Sequence, residues 1–288
     1  TILVTGAGGS IGTELCIQVA RFHPARLVMV DISEFASHVI GEHMATRLPR
    51  ERLEVYVGDA RSKARMTEIF SREKPDVVFH AAAYKHVPLT ESVNAWEAVR
   101  NNVLGTLVAA ECARETGAEK FVLVSTDKAV RASSIMGASK RLAELAIMRL
   151  PETPTQFVSV RFGNVLGSNG SVIPKFREQI AMGGPVTVTH ADMTRYFMSI
   201  PEAAQLVLQA GLIGQARSLY VLDMGEPVRI VDLAKELIRL AKGATHSIPI
   251  TFTGLRPGEK MHEELIGNGE RFVETEHAKV RRVVTDHD

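Results

Sequence analysis

An acid and an amine stand side by side at Asp127 and Lys128, directly after the predicted buried strand Phe121–Ser125. A neutral amine can remove a proton, and a protonated carboxyl group can deliver one. Parallel sheets bind ligands at the carboxyl ends of their strands, where this pair is expected to lie. The pair therefore predicts acid–base chemistry, with the Thr126 hydroxyl beside it as a hydrogen-bonding group. A solvated loop pair is the alternative.

A second amine, Lys140, lies in the amphipathic stretch Ser134–Leu150, which is predicted to form a helix. Met136 stands four residues before it. Methionine has no titratable proton, so Met136 cannot act as an acid or a base. Proton transfer at this site is therefore left to the other polar side chains or to bound water.

A glycine-rich segment, Thr5–Gly12, joins a predicted strand to a predicted helix. Glycines spaced three apart allow a tight turn and let backbone amides approach a pyrophosphate, which also meets the positive end of the helix dipole. A plain tight turn is the alternative. The residues expected to bind a dinucleotide here are Gly6, Gly9, Ser10, Ile11 and Gly12.

Two acids end the next two predicted strands and extend this interpretation. Asp31 lies 19 residues after Gly12, where an acid binds the adenosine ribose hydroxyls of a dinucleotide. Its negative charge would repel a 2′-phosphate, so NAD is expected rather than NADP. Asp59 follows the third strand and is expected to flank the adenine.

Short apolar runs alternate with longer amphipathic stretches up to residue 163, which predicts an α/β fold with a doubly wound parallel sheet of the Rossmann type. Residues 1–163 are expected to form the NAD-binding domain. Residues 164–288 are expected to form a smaller substrate lobe, with some elements returning to the first domain. The predicted strands of the first part are Ile2–Thr5, Leu27–Asp31, Leu53–Val57, Val77–His80, Phe121–Ser125 and Phe157–Arg161.

Composition excludes some classes of protein. The chain has 288 residues and is 45% hydrophobic, which excludes a disordered chain. Its net charge of +1 gives no indication of a nucleic-acid or membrane-surface partner. The two cysteines, Cys16 and Cys112, are expected to be buried thiols, and the histidines, including His43 and His86, show no metal-ligand spacing, so no metal is predicted. The sequence opens directly on a core strand, so a preceding segment is expected.

Several motifs in order resemble the extended short-chain dehydrogenase/reductases. These are the glycine segment, His80-Ala81-Ala82-Ala83, Asn102, Ser125-Thr126 and Lys140. The resemblance implies that the His80–Ala83 segment, with Ala82, lines the cofactor, that Asn102 is the structural Asn, and that Lys140 holds the nicotinamide ribose. That superfamily usually has Tyr-x-x-x-Lys, so Met136 departs from its pattern.

A narrower group is similar over nearly the whole chain, namely the bacterial polysaccharide-biosynthesis dehydratases that act on UDP-N-acetylglucosamine. The larger, membrane-anchored members of this group are expected to carry Met at the position of Met136. The motifs that carry the resemblance are Ala83-Tyr84-Lys85-His86-Val87-Pro88, Ser125-Thr126-Asp127-Lys128-Ala129, Gly137-Ala138-Ser139-Lys140-Arg141, Arg161-Phe162-Gly163-Asn164-Val165-Leu166-Gly167-Ser168 and Leu255-Arg256-Pro257-Gly258-Glu259-Lys260.

The resemblance implies a 4,6-dehydration. NAD oxidises the sugar's fourth carbon, Lys128 takes the proton from the fifth carbon, Asp127 protonates the departing hydroxyl, and hydride returns to the sixth carbon. Thr126 would hydrogen-bond the sugar hydroxyl that is oxidised, and water or Asp127 would accept its proton. The substrate-binding residues are expected to be Lys85, Asn164, Arg256 and Glu259, with Arg195 a weaker candidate.

Two other functions remain open at this point. One is a nucleotide-sugar epimerase on the same fold, and the other is a non-catalytic NAD-binding module, for which Met136 would mark a lost activity. A UDP-sugar is the expected partner. The resemblance also implies a homo-oligomer and a cytoplasmic location, at the inner face of the membrane if the full-length protein is anchored.

Overall fold

The computed structural model describes residues 1–242 and 248–285 of the chain. Residues 243–247 and 286–288, which belong to the expected second lobe, lie outside the described residues. The strands are β1 Ile2–Thr5, β2 Leu27–Asp31, β3 Leu53–Val57, β4 Val77–His80, β5 Lys120–Val124, β6 Gln156–Arg161, β7 Asn164–Leu166, β8 Val186–Val188, β9 Thr194–Arg195, β10 Phe197–Ser199, β11 Ser218–Leu222, β12 Val228–Arg229, β13 Ile250–Phe252, β14 Glu270–Val273 and β15 Val280–Thr285.

The helices alternate with these strands. They are α1 Ser10–Ala20, α2 Glu34–Ala45, α3 Lys63–Glu73, α4 Val87–Thr90, α5 Ala95–Val99, α6 Gly105–Glu115, α7 Ile135–Met148, α8 Val172–Ala181, α9 Ile200–Ile213 and α10 Ile230–Lys242. A π-helical segment, Arg100–Leu104, joins α5 to α6, and a 3₁₀ turn, Asp127–Ala129, follows β5.

Nine strands form one sheet in the order β14-β15-β11-β6-β5-β4-β1-β2-β3. The strands from β3 to β11 run parallel, whereas β15 and β14 pair antiparallel at one edge. The predicted doubly wound parallel sheet is therefore confirmed, and its six predicted strands are present within one residue of their expected ends. The strand order reverses between β1 and β4, which is where such sheets bind ligands.

Buried apolar side chains cover both faces of this sheet, as parallel strands require. One cluster centres on α1, α2 and α9, and the other on α3, α6 and α7. Phe70 and Phe121 are completely buried in the second cluster, and each contributes about 1.5–3 kcal/mol to folding. Cys16 and Cys112 are buried free thiols, as expected.

A smaller cluster holds together the elements that lie beyond β6 in the chain. It joins α8, β8 and α10 around Phe176, which is completely buried. Three two-stranded sheets, β7 with β10, β9 with β12 and β8 with β13, complete this region. The charged tail from residue 270, for which the sequence predicted no structure, forms β14 and β15 and returns to the large sheet.

Candidate active site

A cleft of about 860 Å³ lies at the carboxyl ends of the central strands. The segments that follow β1, β4, β5 and β6 form one side of it, and elements of the smaller cluster form the other. Of the residues predicted for catalysis and substrate binding, the cleft is lined by Thr126, Lys128, Met136, Lys140, Lys85, Asn164, Arg256 and Glu259. Asp127 is buried behind this lining, and the other predicted catalytic and substrate residues are brought together at the cleft.

The Asp127–Lys128 pair is held by the 3₁₀ turn that follows β5. The Thr126 hydroxyl caps this turn by accepting from the Lys128 amide at 3.3 Å, and it donates to Asp127 Oδ1 at 3.0 Å. The Asp127 amide donates to the Phe162 carbonyl after β6. Two neighbouring strands thus fix the backbone on which the acid and the amine are carried.

Asp127 is completely buried, and its carboxylate meets the amine directly. Lys128 Nζ donates to Asp127 Oδ1 at 2.9 Å and to Asn164 Oδ1 at 3.0 Å. Within the described ranges, Asp127 Oδ2 has no hydrogen-bond partner. A buried carboxylate oxygen without a partner is costly, so a hydrogen-bond donor that reached Oδ2 would be stabilised there.

Lys140 lies on α7, which begins at a cap provided by Ser134. Its Nζ donates to the Val124 carbonyl at 2.7 Å, and burial lowers its pKa to about 8, although the negative charge of Glu144 partly opposes this shift. Met136 is buried one turn earlier on the same helix, with 2% of its surface exposed. The position where relatives in the wider superfamily carry Tyr is therefore apolar here.

The glycine segment turns sharply between β1 and α1. Gly6 has φ of 66°, and a Cβ atom on Gly12 would lie 2.0 Å from the Gly6 carbonyl oxygen. Among the described residues, no side chain caps the first turn of α1. The amides of Ser10 and Ile11, which line the cleft, therefore suit a phosphate.

Asp31 supports the same segment from β2. Its Oδ2 accepts from the Gly8 amide at 2.9 Å and its Oδ1 from the Ser33 amide at 3.0 Å. Asp31 and Asp59 both lie outside the lining of the main cleft, and Asp59 is bound to the Arg61 guanidinium at 2.8 Å. The glycine cradle and the acid beside it fit a dinucleotide.

The segment after β4 differs in part from expectation. His80 does not line the cleft, because it is completely buried with its Nδ1 2.7 Å from the Thr5 hydroxyl. Ala82 packs against Gly6, whose added Cβ would lie 2.6 Å from the Ala82 nitrogen. Asn102 holds this segment by bonding both the amide and the carbonyl of Tyr84, and it also donates to the Ser139 hydroxyl.

The predicted substrate residues surround the outer part of the cleft. Partial desolvation lowers the pKa of Lys85, which reaches in from the segment after β4. Arg256 and Glu259 lie in one turn, where Glu259 Oε2 accepts from the Arg256 amide at 3.3 Å. Arg195 is mostly buried and donates to the carbonyls of Thr194, Lys260 and Met261.

Glu263 is a site residue that the sequence analysis missed. It lines the cleft, and its Oε1 lies 3.7 Å from Lys128 Nζ and 3.8 Å from Arg195 Nε. The available signal was its position three residues after Lys260, the last residue of a motif that had been recognised. One acid of an adjacent pair, in a region without regular structure, gives no periodic pattern by which to select it.

Nowhere in residues 1–242 and 248–285 do three or more His, Cys, Asp or Glu side chains gather so that they could hold a metal ion. None of the helices described combines the length and apolarity needed to cross a membrane.

A family model described as polysaccharide biosynthesis protein matches residues 2–285. The chain belongs to this family. The capsular polysaccharide biosynthesis protein CapD of Staphylococcus aureus is 52% identical over 290 residues, which cover 100% of this chain and 48% of CapD. The chain therefore spans about half the length of that relative. The UDP-glucose 4-epimerase of Rickettsia typhi is 34% identical over 277 residues, covering 93% of this chain and 78% of the epimerase.

Solved structures share the fold of this family member. Pen from Bacillus thuringiensis has a TM-score of 0.91 at 32% identity, covering 99% of this chain and 88% of Pen. A double mutant of DesIV from Streptomyces venezuelae, a dTDP-glucose 4,6-dehydratase with NAD bound, has a TM-score of 0.81 at 22% identity, covering 93% of this chain and 88% of DesIV. The second likeness shows the fold alone.

Proposed function

We propose that this chain, with NAD, dehydrates UDP-N-acetylglucosamine to a UDP-4-keto-6-deoxy amino sugar for a surface polysaccharide or glycan. The observation that carries the proposal is the Asp127–Lys128 pair: Lys128 lines the cleft together with Lys140 and Met136, and the buried carboxylate of Asp127 accepts a hydrogen bond from its amine. Family membership supports a nucleotide-sugar enzyme of the dehydratase or epimerase kind.

The residues that would hold the dinucleotide are those of the glycine segment, with Asp31, Asp59, Ala82 and Lys140. When bound, NAD supplies reversible hydride transfer, so that a reaction without net redox change can pass through a ketone. The carboxylate of Asp31 favours NAD over NADP because a 2′-phosphate would bring negative charge beside it. The Lys140 ammonium would hold the nicotinamide ribose.

The proton steps fall to the acid and the amine. Transfer of one proton from Lys128 Nζ to Asp127 across their 2.9 Å hydrogen bond leaves a neutral amine and a protonated carboxyl group. The amine then takes the proton from the fifth carbon of the ketone, and the carboxyl group protonates the hydroxyl that leaves the sixth carbon as water. Thr126 would hydrogen-bond the fourth-carbon hydroxyl, whose proton goes to water because Asp127 receives the proton of Lys128.

The nucleotide end of the substrate would meet the outer part of the cleft. Arg256 can form two parallel hydrogen bonds to a phosphate, and Lys85 adds a second cation. Asn164 would donate its amide to a sugar hydroxyl or a phosphate, and Glu259 would accept from the uridine ribose. We assign residues 1–163 to dinucleotide binding and residues 164–288 to the substrate lobe, and we place the domain at the cytoplasmic face of the membrane as a homo-oligomer.

An epimerase is the second candidate, favoured by the relative from Rickettsia typhi. Epimerisation at the fourth carbon needs a group that removes and returns the hydroxyl proton, a role for which Met136 has no titratable atom. Epimerisation also gives no role to an adjacent base and acid such as Lys128 and Asp127. Dehydration uses both members of the pair and is therefore preferred.

The test is to incubate the purified chain with UDP-N-acetylglucosamine, with and without added NAD, and to follow the sugar by mass spectrometry. Loss of about 18 mass units without accumulation of NADH is expected. Lys128→Ala should lower turnover about 10²–10⁴-fold and leave bound NAD unchanged, because the general base is removed and the dinucleotide contacts are not.

The matched control is Lys235→Ala on the exposed face of α10, which should turn over like the parent chain. An unchanged sugar mass across several UDP-sugars would exclude dehydration. If proton NMR then showed a new sugar of the same mass, epimerisation would replace it. No new sugar would leave the NAD-binding module as the better description.

A further inference from the structure

Glu263 brings a second carboxylate to the amine of Lys128. It comes from the segment that follows Glu259 in the chain, and 4% of its side chain is exposed. Its Oε1 lies 3.7 Å from Lys128 Nζ, and its Oε2 has no hydrogen-bond partner among residues 1–242 and 248–285. A buried carboxylate with an unpartnered oxygen is costly unless nearby charges compensate it.

Arg195 lies close to Glu263 but is held by other groups. Its guanidinium donates to the carbonyls of Thr194, Met261 and Lys260 at 2.7, 3.1 and 2.9 Å. Its Nε is 3.8 Å from Glu263 Oε1, beyond a hydrogen bond. Arg195 therefore holds the backbone that carries Glu263 through three carbonyl groups, and it makes no hydrogen bond to the Glu263 carboxylate. A structural role as the partner of Arg195 does not explain why residue 263 is an acid.

We propose that Glu263 is a positioning residue for Lys128, and that its negative charge sets the pH at which the amine becomes neutral. This rests on the role of Lys128 as the base in the proposed function. With Asp127 at 2.9 Å and Glu263 at 3.7 Å, two carboxylates stabilise the ammonium form. The amine becomes a base when its proton moves to one of them.

Other charged and polar groups also act on Lys128 Nζ. Asn164 faces Nζ as a neutral acceptor from the segment after β6, and Arg195 approaches Glu263 from β9. Lys260 stands in the same cluster: burial lowers its pKa, Glu263 and Asp127 act in the opposite direction, and Lys128 adds to the lowering. Charges of both signs therefore surround Lys128 Nζ, and a change at Glu263 alone isolates the contribution of that acid.

The experiment measures the neutral fraction of Lys128 directly and needs no substrate. The NAD-bound chain is labelled briefly with an amine acetylating reagent between pH 6 and pH 11, and acetylation of Lys128 is quantified by peptide mass spectrometry. Glu263→Gln removes one negative charge at nearly constant shape. The midpoint of Lys128 labelling should fall by at least roughly 0.8 pH unit, as expected for loss of a charge at this distance with solvent screening as strong as in bulk water.

Glu264→Gln is the matched control, because this neighbouring acid pairs with Arg131 and, at 3.9 Å, with Lys260, and not with Lys128. Its Lys128 midpoint should stay at the parent value. An unmoved midpoint in Glu263→Gln, or an equal shift in Glu264→Gln, would overturn the proposal. If Glu263→Gln did not fold with bound NAD, Glu263→Asp would be used: its carboxylate is drawn back by about one carbon–carbon bond, ~1.5 Å, and a smaller fall is expected. An unmoved midpoint in that variant would equally overturn it.

The same variants separate this proposal from the proposed function. If the parent chain dehydrates the UDP-sugar, the rising limb of its pH–rate profile should move to lower pH in Glu263→Gln in parallel with the labelling midpoint. If it dehydrates no UDP-sugar but the labelling midpoint moves, the charge coupling stands and the reaction is wrong. If it dehydrates the sugar and neither quantity moves, the role of Glu263 is wrong and the reaction stands.

Discussion

Lys140 is a buried amine whose hydrogen bond goes to a backbone carbonyl rather than to a carboxylate. Its Nζ donates to Val124, and Glu144 on the next turn of α7 acts on it only through its charge, since that acid is occupied by Ser125 and Arg161. An ammonium group without a directly bonded counter-ion is expensive to bury. This explains why the pKa of Lys140 falls to about 8.

The first prediction concerns the stability of the fold as a function of pH. The pKa of Lys140 lies near 8 in the folded chain and near 10.5 in the unfolded chain, so between these values the unfolded chain binds more protons. The free energy of unfolding of the parent chain should therefore rise as the pH increases from 8 to 10.5, by up to about 3 kcal/mol relative to that of Lys140→Met. Urea unfolding of both proteins at pH 7, 8, 9 and 10 checks this. A constant difference between them, equal to that for the exposed Lys235→Met, would contradict it.

For single residues, the sequence allowed us to predict site residues that directly follow a strand, but not Glu263, which follows none. Lys128 and Asn164 could be predicted because each comes shortly after a buried strand, where ligands bind. His80 was placed wrongly because sequence position does not show which way the last side chain of a strand points. Glu263 could not be predicted, because its proximity to Lys128 depends on how a segment 135 residues later packs against the first domain.

The 3₁₀ turn that carries Asp127 and Lys128 is positioned by α7, which packs directly on it. A Cβ atom on Gly137 would lie 2.2 Å from the Lys128 carbonyl oxygen, so only glycine allows the helix to come this close. The second prediction is that Gly137→Ala displaces the turn and lowers dehydratase turnover at least about tenfold, while the melting temperature also falls. Steady-state turnover and thermal unfolding measure both effects.

The control for this prediction is a second helical glycine. A Cβ atom on Gly105 would meet its nearest neighbour, Ala60, at an ordinary 3.6 Å. Gly105→Ala should therefore keep its activity and gain up to about 1 kcal/mol, because alanine has the higher helix propensity. Equal loss of activity in both variants would mean that glycine-to-alanine changes act through the helices in general and not through the turn.

The sequence from Ala95 to Thr116 has the spacing of one continuous helix, and the structure interrupts it. The π-helical segment Arg100–Leu104 lies within the run and carries Asn102. Asn102 is buried there and bonds Tyr84 and Ser139, which lie on two other segments. A π segment of this kind is stabilised by tertiary hydrogen bonds that leave no trace in hydrophobic periodicity, which is why only the helix itself could be predicted.

At the scale of the whole molecule, the chain leaves the large sheet after β6 and returns to it twice. It returns once as β11 and again as β15 with β14. The smaller cluster is built from the chain segments between β6 and β11 and between β11 and β14. A charged antiparallel strand at a sheet edge has an exposed face, so the composition of the tail concealed it from sequence reasoning. Each segment that contributes to the smaller cluster is joined at both of its ends to a strand of the large sheet. We therefore expect the whole chain to unfold thermally in one transition.

Glu270 on β14 joins the end of the chain to the large sheet through an ion pair with Arg161 on β6. Arg161 at the end of β6 is almost completely buried and is shared between Glu144 and Glu270, at 2.8 and 2.9 Å. Burial disfavours the charged form of Glu270, but hydrogen bonds and the charge of Arg161 outweigh it, and its pKa falls below the ordinary 4.5. The carboxylate therefore stabilises the fold above that pH, and its contribution is lost as the pH decreases through the lowered pKa.

The third prediction follows from this sharing. Glu270→Gln should lower the free energy of unfolding by about 2–3 kcal/mol at pH 7, less than the loss of an entire buried pair because Glu144 still compensates Arg161. Denaturant unfolding measures it, and the difference should narrow below pH 4.5. Glu274→Gln, at an exposed position just beyond β14, should leave stability unchanged. If Glu270→Gln unfolded in two steps, the return of the tail would be what couples the smaller cluster to the sheet; a single transition at unchanged stability would mean that β14 is held by its backbone ladder alone.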